Sequence, residues 1–380
     1  MTVVTRAVLA AAVAALLLST YLWASTQSRP RDVPLGLSAP EPVAAQLAAA
    51  LDQAAPGGFD VRPVGGADEA RSLIRDRELY GAIVVGPEGA SVLTASAASA
   101  PVARMLETLP GRLAQAGVLG QSGQSGRSEQ SGGAEDARDG GPTAQDSQAG
   151  GATEPGAAEA SAPAASAGQA PEAAAGANAT VEDVAPLAPA DPNGAAFVML
   201  VIVISVVGLL SGMVTALTVR GTARRLATAL ACGAAVGLVA AAVAGPWLGV
   251  LPNGYWAHAG LVALTCGAVA LAVTGVHSLV GLAGVPLVAL AVFAGNPFSG
   301  AQGGTAMLPD GWWQVGQALP SGALASSLRS VVYFGGTGSG LPLVVLGSWL
   351  VAGALALVAG WWLRRPRHAS WRQTPVEACP

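Results

Sequence analysis

The stretch AAFVMLVIVISVVGLLSGMVTALTV, residues 195–219, runs 25 positions without a charge and then stops at Arg220, Arg224 and Arg225. A hydrocarbon core about 30 Å thick needs about 20 apolar residues of helix. This stretch therefore reads as a membrane crossing, with its arginine end held at the cytoplasmic face. Similar runs lie on both sides of it. Residues 226–251 are closed by Pro252, Asn253 and Gly254, and residues 340–363 are followed by Arg364, Arg365 and Arg367. The uncharged run 259–294 is 36 residues long. As one helix it would measure about 54 Å, so it is divided near His277 and Ser278 into crossings 259–276 and 279–294, the second short and carrying Pro286. Residues 7–23, preceded by Arg6, form a further apolar run. It reads as an uncleaved anchor over residues 1–25, with a signal-peptide core as the alternative. The expected fold is an α-helical polytopic membrane protein of six transmembrane helices.

Composition supports this class. The 380 residues are 52% hydrophobic and 11% charged, with a mean hydropathy of +0.50. Soluble domains carry about 25% charged residues. All 19 basic residues are arginine. Without lysine there is no Walker A loop and no Schiff-base lysine, so the chain is not itself a P-loop ATPase. Neither the three cysteines nor the three histidines (His258, His277, His368) cluster in sequence. With no nucleophile–base pair visible, no enzyme is expected, and no catalytic, cofactor-binding or metal-binding residue is assigned. Nor is a nucleic-acid partner expected.

Orientation follows from the arginines near the span ends. With the N-terminus inside, eight arginines (6, 220, 224, 225, 364, 365, 367, 372) fall on the cytoplasmic side and three (29, 31, 329) outside. Both termini are then cytoplasmic, residues 24–194 and 295–339 are extracellular, and residues 364–380 form a cytoplasmic tail.

Within the large outside segment, residues 26–119 pattern as a small α/β domain inserted between helices 1 and 2. Val33, Leu35 and Leu37 alternate as a strand, followed by a helix over 42–54 and a strand over 59–64. Asp68 is placed to cap a helix running to about residue 78. Residues 80–85 form a buried strand, 86–89 a turn, 91–95 another strand and 101–115 a closing helix. Arg71, Arg75 and Arg77 share helical spacing, which suits either an anion site or a solvated face. Residues 120–180 hold no Val, Ile, Leu, Met, Phe, Tyr, Trp or Cys. They cannot bury enough surface to offset ordering entropy, so 120–190 is assigned as a disordered tether. The membrane domain is residues 191–363.

No ionisable Asp, Glu or Arg lies inside the expected spans. Proton-coupled carriers place such groups at membrane depth, so a proton antiporter is not favoured. Gly208/Gly212 and Gly233/Gly237 have the small-xxx-small spacing of close-packed helices. Ser205, Ser211, Thr215, Thr265 and Thr274 either line a cavity or bond to their own helix carbonyls.

Several stretches resemble one family. They are IRDRELYGAIVVGPEGASVLTASAASAPVARML at 74–106, PLAPADPNGAAF at 186–197, GNPFSG at 295–300 and LPDGWWQVGQALPSGALASSLRSVVYF at 308–334. Together with the layout of anchor, outside domain and five spans, they are similar to the phage-infection-protein-like branch of the type-2 ABC transporter permeases. The resemblance implies a multi-pass protein of the bacterial cell membrane. Such a protein exports a lipidic or drug-like compound with a separate ATP-binding subunit, and a second copy of the chain is a further candidate partner beside the lipid bilayer. It also implies an extracellular lid before the last span, for which Trp312, Trp313, Arg329 and Tyr333 are the candidates; an ordinary helix lying on the headgroups is the alternative. ATPase docking would fall to Arg220, Arg224, Arg225, Arg364 and Arg365, residues that equally serve to fix orientation. The chain departs from the family in its six-residue segment 220–225, a small docking surface. The competing function is therefore a non-transporting receptor or envelope scaffold whose α/β domain binds a partner.

Overall fold

Glycine, proline and charge decide where the apolar runs break in the computed structural model. It describes residues 26–86, 89–115, 179–309 and 311–364, together with Ala15, Ser19, Thr20, Leu22 and Trp23. Apart from those positions, the expected anchor over 7–23, tether residues 120–178 and tail residues 365–380 lie outside the described residues. Met1–Pro110 and Ala179–Pro380 make one compact unit, and Gly111–Asn178 another.

The sheet holds five strands: β1 (Val33–Ser38), β2 (Phe59–Pro63), β3 (Gly81–Gly86), β4 (Gly89–Thr94) and β5 (Ala179–Asp183). Their order is β2-β1-β3-β4-β5. β1 is parallel to β2 and to β3, while β3 and β4 form an antiparallel hairpin. Three helices, α1 (Glu41–Ala54), α2 (Ala67–Arg75) and α3 (Ala100–Gln115), complete this region. The parallel centre demands apolar residues on both sides, and Leu35, Ile74, Ile83, Leu93 and Leu106 are fully buried.

Three features of this region differ from the sequence reading. Residues 179–190, assigned to the tether, are ordered, and β5 pairs parallel to β4 with Val181 opposite Val92. Polar bonds hold it rather than apolar pattern. Arg71 donates to the Glu182 carboxylate at 2.8 Å, and Asp183 accepts from the Ser96 backbone N–H and hydroxyl. The second helix is also shorter than expected. It ends at Arg75 because Arg77 adopts a left-handed conformation, φ +64°. The Arg77 and Glu78 amides then turn back onto the Ile74 and Leu73 carbonyls, a Schellman closure with arginine where glycine is usual. Nor does Asp68 cap that helix; Glu69 reaches back to the Gly65 N–H, and Asp68 pairs with Arg71.

Among the described residues, four helices are long and apolar enough to cross a membrane: Ala195–Thr218, Thr222–Trp247, Tyr255–Gly295 and Gly340–Leu363. The first is α4, and Asp191 caps it by accepting from the Ala196 and Phe197 amides. The second begins with α5 (Thr222–Ala242), so Arg224 and Arg225 lie in its first turn, and it ends in a π turn containing Pro246. The third breaks differently from the expected pair 259–276 and 279–294. α6 (Tyr255–Val280) runs unbroken past His277, a 3₁₀ turn at Gly281–Gly284 follows, and α7 (Val285–Gly295) is only 11 residues long. At about 16 Å it is too short to cross by itself. Gly281 at φ +79° permits the break. Val288 and Val292 of α7 share a core cluster with Val269 and Val273 of α6, so the chain doubles back. Two short helices follow, α8 (Trp312–Gln317) and α9 (Pro320–Tyr333), before the last candidate span α10 (Gly340–Leu363).

Small residues let these helices approach. A Cβ at Gly212 of α4 would lie 2.8 Å from the Ala270 backbone, and one at Gly233 of α5 would lie 2.8 Å from the Ala263 carbonyl oxygen. Gly353 of α10 meets the α6 backbone at Ala272 in the same way. α6 is thus the central helix, flanked by α4, α5 and α10. Ser205, Thr215, Thr265 and Thr274 each donate to a carbonyl one turn back, and Thr215 together with Ser211 also borders a small cavity of about 300 Å³.

Candidate functional site

The helix read as a lid or a headgroup-lying element is neither exposed nor two-faced. Eleven of the 14 residues of α9 are buried, Pro320 to Ser330 without interruption. Its serines make this tolerable. Ser327 and Ser330 donate to carbonyls one turn back, and Ser326 donates to Gln317 Oε1 at 2.6 Å. The far end of α9 meets the sheet region, where Tyr333 and Phe334 join Ile74, Leu79 and Leu93 in one core cluster.

A cavity of about 580 Å³ opens at this junction. Its polar side carries Arg77, Tyr80, Gln317 and Arg329; its apolar side carries Leu341, Pro342 and Val345 from the first turns of α10. Each arginine is positioned by its own element. Arg77 is thrown inward by the left-handed end of α2, donates to the Ser330 hydroxyl, and lies 5.3 Å over the Phe334 ring. Arg329 is 7% exposed. It donates to the Gly300 and Ala301 carbonyls at 3.0 and 2.9 Å and lies 5.3 Å over Phe197 of α4.

Burial lowers the pKa of both guanidiniums, and for Arg329 the neighbouring charge of Arg77 lowers it further, to about 10. At about 10, Arg329 still stays charged at neutral pH, and an arginine side chain keeps its proton in proteins generally. The ion pairs among the described residues join Arg62 to Asp60, and Arg71 to Asp68 and Glu182. Neither cavity arginine takes part in one. Asp76 borders the cavity but is exposed and accepts from the Ser72 hydroxyl of its own helix. Buried charges are ordinarily paired, so this site holds two positive charges without a described carboxylate partner.

The residues singled out from sequence are distributed unevenly around it. Of the lid set, Trp313 and Arg329 line the cavity. Trp312 instead stacks on Phe298, ring centres 4.7 Å apart, with Trp23 edge-on at 5.4 Å. Tyr333 packs in the sheet-side core with its hydroxyl unpartnered among the described residues. The three arginines of α2 separate: Arg71 ties β5 to the helix, Arg75 is exposed, and Arg77 alone enters the cavity.

At the other end of the spans, Arg220, Arg225 and Arg364 border a smaller cavity of about 320 Å³. Arg225 is fully engaged there. It donates to the Val219 and Ala216 carbonyls at the end of α4 and to the Ser278 hydroxyl of α6. Arg224 is exposed, and Arg365 lies outside the described residues.

Sequence reading missed the pairing of Arg77 with α9, since Arg77 and Ser330 stand 253 positions apart. One signal was present: Arg329 is the sole charge between residues 311 and 363. An arginine surrounded by serine and apolar residues has to be paired, solvated or functional. No protein-family model, no curated protein and no solved structure matches this chain.

Proposed function

We propose that the chain is a permease-like exporter of the bacterial cell membrane, similar to the type-2 ABC permeases, moving a lipidic compound with a separate ATPase subunit. In this reading both termini are cytoplasmic, the sheet region and residues 295–339 are outside, and residues 7–23 and the 279–294 return complete six crossings. The observation that carries it is the pair of short helices before the last span. α9 is buried among α4, α6 and α10 and closes a cavity that opens beside the first turns of α10. An exporter needs a closable compartment on its exit side, and helices of this kind supply one.

The test is purification of the full chain from its native membranes. Recovery of a nucleotide-hydrolysing subunit supports the reading, and loss of that subunit in the Arg220→Gln/Arg224→Gln double variant with span orientation intact assigns the docking surface. If no such subunit is recovered, the export reading fails.

One observation favours the second reading, a non-transporting surface protein. The α4–α5 turn is three residues, Val219 to Gly221, and Arg225 beside it is already engaged. Little remains there for an ATPase to grip.

A further inference from the structure

We propose that the cavity between the sheet region and α10 binds an anionic amphiphile, its acidic head paired with Arg77 and Arg329 and its apolar chain laid along Leu341, Pro342 and Val345. The proposal deepens the export reading, on which it rests for the sense of a transported substrate, by naming the substrate class.

Charge is the first argument. Two guanidiniums line one cavity, and no described carboxylate pairs with either. The Arg77 charge lowers the Arg329 pKa, so an anion in the cavity relieves that repulsion as well as satisfying donors. A guanidinium carries five N–H donors. The described bonds use two from Arg329 and one from Arg77, which leaves forks free for a phosphate or carboxylate.

Backbone geometry is the second argument. Arginine at φ +64° is disfavoured relative to glycine, which would close the same turn without strain. Such strain persists where the side chain has work to do, as in ligand clamps.

Shape is the third. A free phosphate would fill a small part of about 580 Å³ and leave the α10 wall uncovered. Leu341 is 74% exposed at the start of a helix apolar enough to cross a membrane. A ligand with a charged head and a hydrocarbon chain matches both halves. Volumes of this size suit small-molecule ligands.

The experiment uses the full chain in neutral detergent with three probes: dilauroyl phosphatidic acid, dilauroylglycerol and inorganic phosphate. Binding is read by the rise in melting temperature and by adducts in native mass spectrometry. Phosphatidic acid should bind, and Arg77→Gln should weaken it tenfold or more, with partial recovery in Arg77→Lys, which keeps the charge and loses the fork. Leu341→Gln, at an exposed position that folding tolerates, should also weaken phosphatidic acid binding. Arg220→Gln/Arg224→Gln, at the opposite end of the spans, should bind as the parent does. The proposal is overturned if phosphatidic acid does not bind, if dilauroylglycerol or inorganic phosphate binds as tightly, or if the two cavity variants bind unchanged. No ATPase is present in the assay, so the two readings fail separately. Binding without a recoverable ATPase defeats export and leaves the site. A recovered ATPase without binding does the reverse.

Discussion

Two groups of arginines stand at opposite ends of the spans, and the protein treats them differently. At the α4–α5 turn, Arg225 donates to two helix-end carbonyls and a serine, while Arg224 is exposed. Helix C-termini are where cations are favoured, and the carbonyls at this helix end are reason enough for an arginine there. At the sheet junction, Arg329 is buried and Arg77 half-buried; both line one cavity, and neither has a described carboxylate partner. One of them also holds a disfavoured backbone. The same residue type thus serves a stabilising purpose at one end and is kept at a cost at the other. That contrast makes the second group the better candidate for function.

The largest expected effect tests whether Arg329 has a structural share as well. Arg329→Met removes both donors from the buried Gly300 and Ala301 carbonyls. Unpaired buried acceptors cost about 1–3 kcal/mol each, so the variant should lose about 2–6 kcal/mol, measured by chemical unfolding in detergent. A loss below 1 kcal/mol would mean that these carbonyls find water and that Arg329 is free for ligand alone. Arg225→Ala comes next. It strands the Val219 and Ala216 carbonyls nearer the surface, where water replaces part of the loss, and about 1–2 kcal/mol is expected by the same measurement. If it costs nothing, the α4–α5 turn is not held by this residue, and Arg225 becomes available for docking.

How far sequence could go depended on the range of the signal. The crossing read as 195–219 is α4 at Ala195–Thr218, and 340–363 is α10 without change, because an uncharged run of helical length is a local property. Gly208, Gly212, Gly233 and Gly237 were legible as packing positions for the same reason. β5 was not. Its partners are Arg71 and Ser96, and its one apolar branched residue, Val181, is largely exposed, so neither period nor composition marks it. The break of the third span was displaced because a histidine–serine pair was read as the turn, whereas Gly281 at positive φ makes it. The cavity was out of reach for a deeper reason. It exists only where the end of α2 meets α9, and no window along the chain contains both.

Arg71, inside α2, sharpens the comparison through pH. Arg71 holds the Glu182 carboxylate below its usual pKa, chiefly through the hydrogen bond between them. A depressed carboxylate contributes stability above its unfolded pKa and loses it as pH falls through the folded value. Arg71→Gln should therefore be less stable than the parent at pH 7. The gap should begin to narrow as pH falls through the ordinary glutamate range and close only below the depressed folded value, where Glu182 is protonated in both states. The pair is exposed, so the effect should be smaller than either loss above. A gap that persists below that folded value would mean that Arg71 acts by packing on β5 and not by charge.

The smallest expected change in stability is the most informative one. Arg77→Gly removes a hydrogen bond to Ser330 and a cation–π contact with Phe334, which together are worth about 1–2 kcal/mol. It also relieves a left-handed arginine, a gain of about 1–2 kcal/mol. Glycine's looser unfolded chain takes back about 0.4–1 kcal/mol. These nearly cancel, so the variant should melt within about 1 kcal/mol of the parent while losing phosphatidic acid binding. If Arg77→Gly instead costs as much as Arg225→Ala, the two arginine groups do the same job. The uncompensated charge in the cavity would then belong to the architecture of the junction, with no ligand required to explain it.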